Sequence, residues 1–410
     1  MRVFCAVRHA TDPQRFYGDL WTRNFYPALR GMGHEIVESK TDLFPTSMFM
    51  DIGGHFTREE LEIRARTTES IVDEVRATHK CSPVDLFLSY FYNAHCDPEI
   101  FDELRRLDIP SVNFYCNSIH QFDLVSAVAA KTDFAWHAEK GARQRYLDVG
   151  ARPVWVQMGA NPEIYHPILN VQRLPKACFV GQRYADRDRW LASLIRSDVP
   201  VDIYGQGWTA ATNGLQLEHP NNHRTRGIYL GRTRRLPGSW RSYLGAVLEN
   251  VRQGGLMSGI ARSVRQVRYR KNTHDLLSLL AESARGSAKD VTDVFAEHEI
   301  CLNFSNVWSD GRPGSPLIAH VRLRDFEAPM SRTCYLTGHS DEITEFYDVG
   351  REIDTYRTPD ELVDKTKFYL RHQEAAERMR EAGYHRARRQ HSWQSRFKEL
   401  FHKIGISKPC

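Results

Sequence analysis

Nowhere does the 410-residue sequence approach the roughly 18 uncharged apolar residues that a membrane-spanning helix needs. Its opening Met1-Arg2-Val3-Phe4-Cys5-Ala6-Val7 runs into Arg8 and His9 instead of a signal-peptide core, which argues against secretion and for a cytoplasmic protein. The eight cysteines form no Cys-x-x-Cys pair and mostly sit in apolar strand-like runs, so a zinc or disulfide framework is excluded and reduced thiols are expected. No cluster takes metal-ligand spacing, and there is neither a P-loop nor a nucleophile elbow. Acidic residues are scarce in one place. Between His223 and Lys271, Glu249 alone stands against eleven arginines and Lys271, in a chain whose net charge is only +5.

What is present is an alternation of strand and helix patterns. An apolar run at 3–7 precedes a helix with Trp21, Phe25, Leu29 and Met32 on one face, closed by Gly33 and followed by a short strand at 34–38. A helix at 57–79 leads to a buried strand at 84–91, and further strands follow at 111–115, 134–137 and 153–157. The pattern then restarts, with strands at 177–180, 201–204, 300–304, 333–337 and 352–356 and helices at 359–372, 373–389 and 393–404. This predicts an α/β fold of two tandem Rossmann-like domains with parallel sheets, their carboxyl ends facing an inter-domain cleft. The amino-terminal domain is expected over 1–168 and the second over 169–385, interrupted by a helical basic insertion at 209–290. Residues 386–410 form a last helix that crosses back to the first domain, with Trp393, Phe397, Leu400, Phe401 and Ile404 on one face.

Chemistry can be placed at strand ends. After the strand at 177–180, Gly181 opens a turn into a helix with Arg183 and Arg187; backbone N–H groups at a helix start and guanidinium forks suit phosphate oxygens, although a plain βα turn with surface arginines has the same spacing. Gly205 and Gly207 end the next strand, where a backbone can approach a planar ring or simply turn tightly. A loop with Gly314 and Ser315 runs into Arg322, Arg324 and Glu327. Glu327, near a helix start, can accept hydrogen bonds from a ribose diol or pair with Arg324 at i,i+3. His95 and His120, with His9, lie at amino-domain strand ends, where a catalytic base for an acceptor would sit.

These residues resemble the CgeB-like, spore-maturation-type glycosyltransferases, relatives of nucleotide-sugar-dependent enzymes with a GT-B architecture. The resemblance is carried by Arg324-Asp-Phe-Glu-Ala-Pro-Met330, Cys334-Tyr-Leu-Thr337, Asp341-Glu-Ile-Thr-Glu-Phe-Tyr347, Gly350-Arg-Glu-Ile353, Gly383-Tyr-His-Arg386 and His391-Ser-Trp-Gln-Ser-Arg396. Fainter echoes are Phe179-Val-Gly181 with Arg187, Tyr204-Gly-Gln-Gly-Trp208, and Met158-Gly-Ala-Asn-Pro162 with His166-Pro167. The resemblance implies transfer of a sugar from a nucleotide-sugar donor, UDP- or GDP-type, to a glycan, lipid-linked or protein acceptor, without a metal or other cofactor. It implies that Glu327 binds the ribose and that Arg183 and Arg187 contact the diphosphate. Where relatives often carry a second glutamate eight positions earlier, this chain has Ala319, and the acid or histidine that often follows the fourth amino-domain strand falls near Asn117, with His120 close by.

The basic segment 223–271 stands outside that pattern. Leu244, Val247, Leu248 and Val251, then Leu256, Ile260, Val264 and Val267, recur at helical spacing among its arginines, which suits a peripheral position on an anionic membrane surface at its inner face. The competing reading is a non-catalytic protein that binds polyanions or nucleic acid through 223–271. Arginines without a dense aromatic or motif pattern give only a nonspecific signal, so nucleic acid is not the expected partner.

Overall fold

In a computed structural model of the chain, residues 1–9, 16–47, 56–208, 247, 250–251, 255–274, 276–309 and 314–406 are described. Residues 223–246 of the arginine-rich segment, Leu244 among them, and Leu248 lie outside the described residues. The alternating patterns become two six-stranded sheets, each parallel throughout. The chain divides into two compact units. One takes Met1–Met158 together with the chain from Trp393 onward, and the other takes the described residues from 159 to 392.

The first unit contains β1 (Arg2–Ala6), β2 (Glu35–Glu38), β3 (Leu86–Ser89), β4 (Ser111–Tyr115), β5 (Phe134–His137) and β6 (Pro153–Trp155), in the order β2-β1-β3-β4-β5-β6. Helix α1 (Phe16–Gly31) joins β1 to β2, and α2 (Arg58–Cys81) precedes β3. Thr57 starts α2 as a capping box: its hydroxyl accepts from Glu60 N at 3.3 Å while the Glu60 carboxylate accepts from Thr57 N at 2.7 Å, satisfying two otherwise orphaned donors. The terminal helix Trp393–Ile404 turns its aromatic stripe onto α1. Trp393 lies 4.9 Å from Phe25 and 6.0 Å from Trp21, and Phe397 lies 5.5 Å from Trp136, so the last helix completes an aromatic core with Phe114.

The second unit contains β7 (Leu174–Val180), β8 (Val201–Tyr204), β9 (Ala284–Gly286), β10 (His298–Asn303), β13 (Cys334–Gly338) and β14 (Asp354–Tyr356), with a small antiparallel hairpin of β11 (Asn306–Trp308) and β12 (Leu317–Ala319) beside it. Strand order is β14-β13-β10-β7-β8-β9, so the winding reverses between β7 and β10. Open α/β sheets bind ligands outside the carboxyl ends of the strands at such a reversal. Three helices frame that edge: α3 (Arg187–Arg196) after β7, α4 (Leu256–His274) from the basic segment, and α5 (Arg324–Met330) after β12. Two pieces of the range 209–290, expected to be insertion, are part of the domain itself. Strand β9 pairs with β8, and the helix Leu276–Ala281 buries Leu276 and Leu280 in the core formed by Leu191, Ile203 and Leu302. An edge strand reading Ala-Arg-Gly buries too little to leave an apolar run in the sequence.

Candidate functional site

The loop leaving β7 is held from beneath by the loop leaving β8. Gly181 N donates to Tyr204 O at 2.9 Å, Arg183 N donates to Gln206 O at 3.0 Å, and the Trp208 indole donates to Gly181 O at 2.8 Å. Gly205 permits this approach: its φ is +127°, and a Cβ there would lie 2.4 Å from the Gly181 carbonyl oxygen. Gly205 and Gly207 are therefore the tight turn that braces the 181–187 loop.

That loop delivers Arg187 to the first turn of α3. Its side chain crosses Gly181, donates to Gln182 O at 2.8 Å, and lies 5.4 Å and 5.8 Å from the Phe179 and Tyr184 ring centroids. Arg187 is 8% exposed, and among the described residues its Nε is buried without a hydrogen-bond partner and no carboxylate forms an ion pair with it, although the Tyr184 and Asp186 side chains offset part of its desolvation. Burial, then the neighbouring Arg322 guanidinium, lower its pKa to about 9, with Arg324 adding to the repulsion. It is still a cation at neutral pH. An unpaired buried charge costs several kcal/mol, so a structure keeps one where an anion is to be bound.

Arg322 stands beside it because α5 is pinned. Its backbone N–H donates to Asp325 Oδ2 at 2.6 Å and its guanidinium donates to Asn306 O at 3.1 Å. Asp325 is buried and accepts from Tyr335 Oη at 2.8 Å and Thr337 Oγ1 at 2.9 Å, which ties α5 to β13. Asn306 in turn donates to Asp186 Oδ2 at 2.7 Å. Next to this cluster a pocket of about 210 Å³ opens between the ends of β10, β13 and β14, lined by Trp190, Ser305, Asn306, His339, Tyr356 and Arg357.

The other expected residues divide. Arg183 is tied to Asp188, Nη2 to Oδ2 at 3.0 Å. Arg324 and Glu327 form the i,i+3 ion pair at 2.8 Å, with the guanidinium 5.1 Å from the Phe295 ring centroid. Burial opposes the charge of Arg324, but Glu327, joined by Tyr165, Cys301 and Tyr335, outweighs it, so its pKa is raised. Ser315 is buried with its hydroxyl unpartnered among the described residues, and Gly314 lies against the Arg265 backbone of α4. In the first unit, His95 is fully buried: its Nδ1 accepts from Tyr92 N at 3.0 Å, so the neutral ring's Nε2–H points to Ser47 Oγ at 2.9 Å. Burial holds its pKa well below the usual value. In this arrangement neither nitrogen is available to take an acceptor's proton. His120 is buried on the short helix Ser118–Gln121. Arg322, Asn306 and the lining of the pocket were not among the residues expected to bind a donor. Arg322 and Arg324 are two positions apart on a pattern with no marker of which one turns inward, and Asn306 has no charge to draw notice.

Residues 258–402 match the family model described as glycosyl transferase-like. No curated protein matches the chain. Among solved structures, a sucrose-phosphate synthase from Thermosynechococcus elongatus is similar at a TM-score of 0.54 and 12% identity, over 100% of both chains. A glycosyltransferase from Rickettsia africae gives 0.55 at 10% identity, over 100% of this chain and 99% of the other. Anabaena HepE, solved in complex with UDP-glucose, gives 0.54 at 9% identity, over 99% of each chain. At these identities the likeness is one of fold. The chain has the GT-B architecture of two doubly wound sheets, and its match to the glycosyl transferase-like model lies in the second unit and the terminal helix.

Proposed function

We propose that the chain is a CgeB-like glycosyltransferase that moves a sugar from a nucleoside-diphosphate donor, UDP- or GDP-type, to a glycan, lipid-linked or protein acceptor without a metal or other cofactor. The observation that carries this reading is Arg187, a buried cation without a carboxylate partner, beside Arg322 at the point where the sheet order reverses. Departure of a nucleoside diphosphate from an anomeric carbon builds negative charge on the phosphate and oxocarbenium character on the sugar. Guanidinium groups fixed in a poorly solvated site stabilise that charge without reorganising. The backbone N–H groups at the start of α3 add the positive end of a helix. In this scheme Arg187 and Arg322 hold the diphosphate, Glu327 accepts from the ribose with the oxygen that Arg324 leaves unused, and the pocket between Trp190 and His339 takes part of the nucleoside. A non-catalytic polyanion binder would leave the Arg187 site unexplained. A location at the inner face of a membrane belongs to the same proposal, supported by the arginine content of 223–271. Among the described residues no helix is long and apolar enough to cross a membrane.

The test is a thermal-shift titration with UDP, GDP, dTDP, CDP and ADP, since a ligand that binds only the folded state raises its melting temperature. One diphosphate is expected to stabilise the protein, and Arg187→Ala is expected to weaken it about tenfold, the loss for a charged hydrogen bond worth roughly 1.4 kcal/mol. Stabilisation by none of the five, or unchanged binding in the variant, sinks the proposal.

A further inference from the structure

Helix α4 is amphipathic in the wrong sense for a helix packed on a protein. Its inward contacts come from polar and small residues: Gly259 lies against the Val251 backbone, Ser263 Oγ accepts from Asn250 Nδ2 at 3.0 Å, and Tyr269 Oη donates to Ala185 O at 2.8 Å. Its outward face is apolar. Leu256 is 65% exposed, Met257 81%, Ile260 46%, Val264 57% and Val267 55%. At 3.6 residues per turn these five fall within an arc of about 100°. Arg265 and Arg268 are exposed along the border of the stripe.

We propose, resting on the membrane location included in the proposed function, that α4 docks on an anionic lipid surface through this stripe. An apolar face set among arginines and carried on an otherwise polar helix is the arrangement that lies in a membrane interface, where apolar side chains enter the acyl boundary and each basic residue adds attraction to anionic headgroups. Charge decides the occupant. Helix α4 itself carries four arginines and Lys271 and no carboxylate, which complements anionic lipid, whereas a nucleic acid would gain nothing from five exposed apolar side chains. The opposite face connects docking to the phosphate loop. Tyr269 holds the Ala185 carbonyl and stands 5.0 Å from Trp308, so α4 seated on lipid is tied directly to the loop that presents Arg187.

The experiment is flotation of the full chain with vesicles of phosphatidylglycerol and phosphatidylcholine, and with phosphatidylcholine alone. The wild type is expected to float with the first and not the second. Ile260→Asp/Val264→Asp is expected to reduce flotation at least about tenfold, and Arg265→Glu/Arg268→Glu to weaken it with an unchanged melting temperature, because all four side chains are at the surface. Absence of wild-type flotation overturns the proposal, and so does equal flotation of the aspartate variant. Two further results overturn it in favour of another occupant: duplex DNA binding that the aspartate variant retains and that competes with vesicles, or a dimer in gel filtration that the aspartate variant dissociates.

Discussion

Arg187 and Arg324 lie at one sheet edge with opposite consequences. Arg324 has Glu327 at 2.8 Å and gains from it, whereas Arg187 is buried among Phe179, Tyr184 and two other guanidinium groups. Removing an unpaired buried cation should relieve the folded state, so Arg187→Met is expected to keep or raise the melting temperature of the free protein while weakening nucleoside diphosphate binding about tenfold. Differential scanning fluorimetry with and without ligand reads both, and a lowered melting temperature would mean that Arg187 is structural. A second residue-scale expectation concerns His137, fully buried, whose Nδ1–H donates to Glu139 O at 2.9 Å while Nε2 has no partner among the described residues. Burial lowers its pKa to about 4. The folded protein thus resists a proton that the unfolded chain accepts below pH 6.5, and stability falls as pH drops from there toward 4. Between pH 7.5 and 5 this one group accounts for about 2 kcal/mol. Urea denaturation of His137→Asn at the two pH values should show a smaller difference by that amount, and an unchanged difference would mean the ring is charged when folded.

At the scale of elements, the 205–208 turn and the 181–187 loop form one device. Gly205→Ala places a Cβ 2.4 Å from the Gly181 carbonyl in a backbone conformation at φ +127° that side chains avoid. The variant is expected to lose about 2 kcal/mol of stability and, because the loop must move, to bind nucleoside diphosphate more weakly. Denaturant midpoints and a ligand titration measure the two effects; full retention of both would show that the loops do not support one another. Most elements were readable because hydrophobic periodicity records which face of a helix or strand is buried, as for the terminal helix with Trp393, Phe397 and Ile404. Strand β9 was not readable, since its three residues are held by backbone pairing with β8 and not by side-chain burial.

At the scale of the whole molecule, the unit that opens the chain is finished by its end. Trp393 and Phe397 are fully buried against Phe25 and Trp136, so the first unit cannot close its core until the last helix has been made. Trp393→Ala is expected to destabilise that unit by about 4 kcal/mol, typical of a large aromatic removed from a core, with less effect on the second unit. Tryptophan fluorescence and circular dichroism followed through one denaturation should then separate into two transitions, and a single coincident transition at the wild-type midpoint would refute it.

Apolar runs in the sequence placed most strands of both sheets, and glycine followed by arginine after the strand at 177–180 marked the loop where Arg187 stands. Those features are local: a strand's burial and a turn's φ are written in neighbouring residues. Only the tertiary structure decided which arginine is paired. Arg324 finds Glu327 one turn along its own helix, but the surroundings of Arg187 come from Arg322 and Tyr184, and Arg322 is placed by Asn306 and Asp325. The charge balance of a buried group is a sum over space, and positions far apart in sequence contribute to it as much as neighbours do.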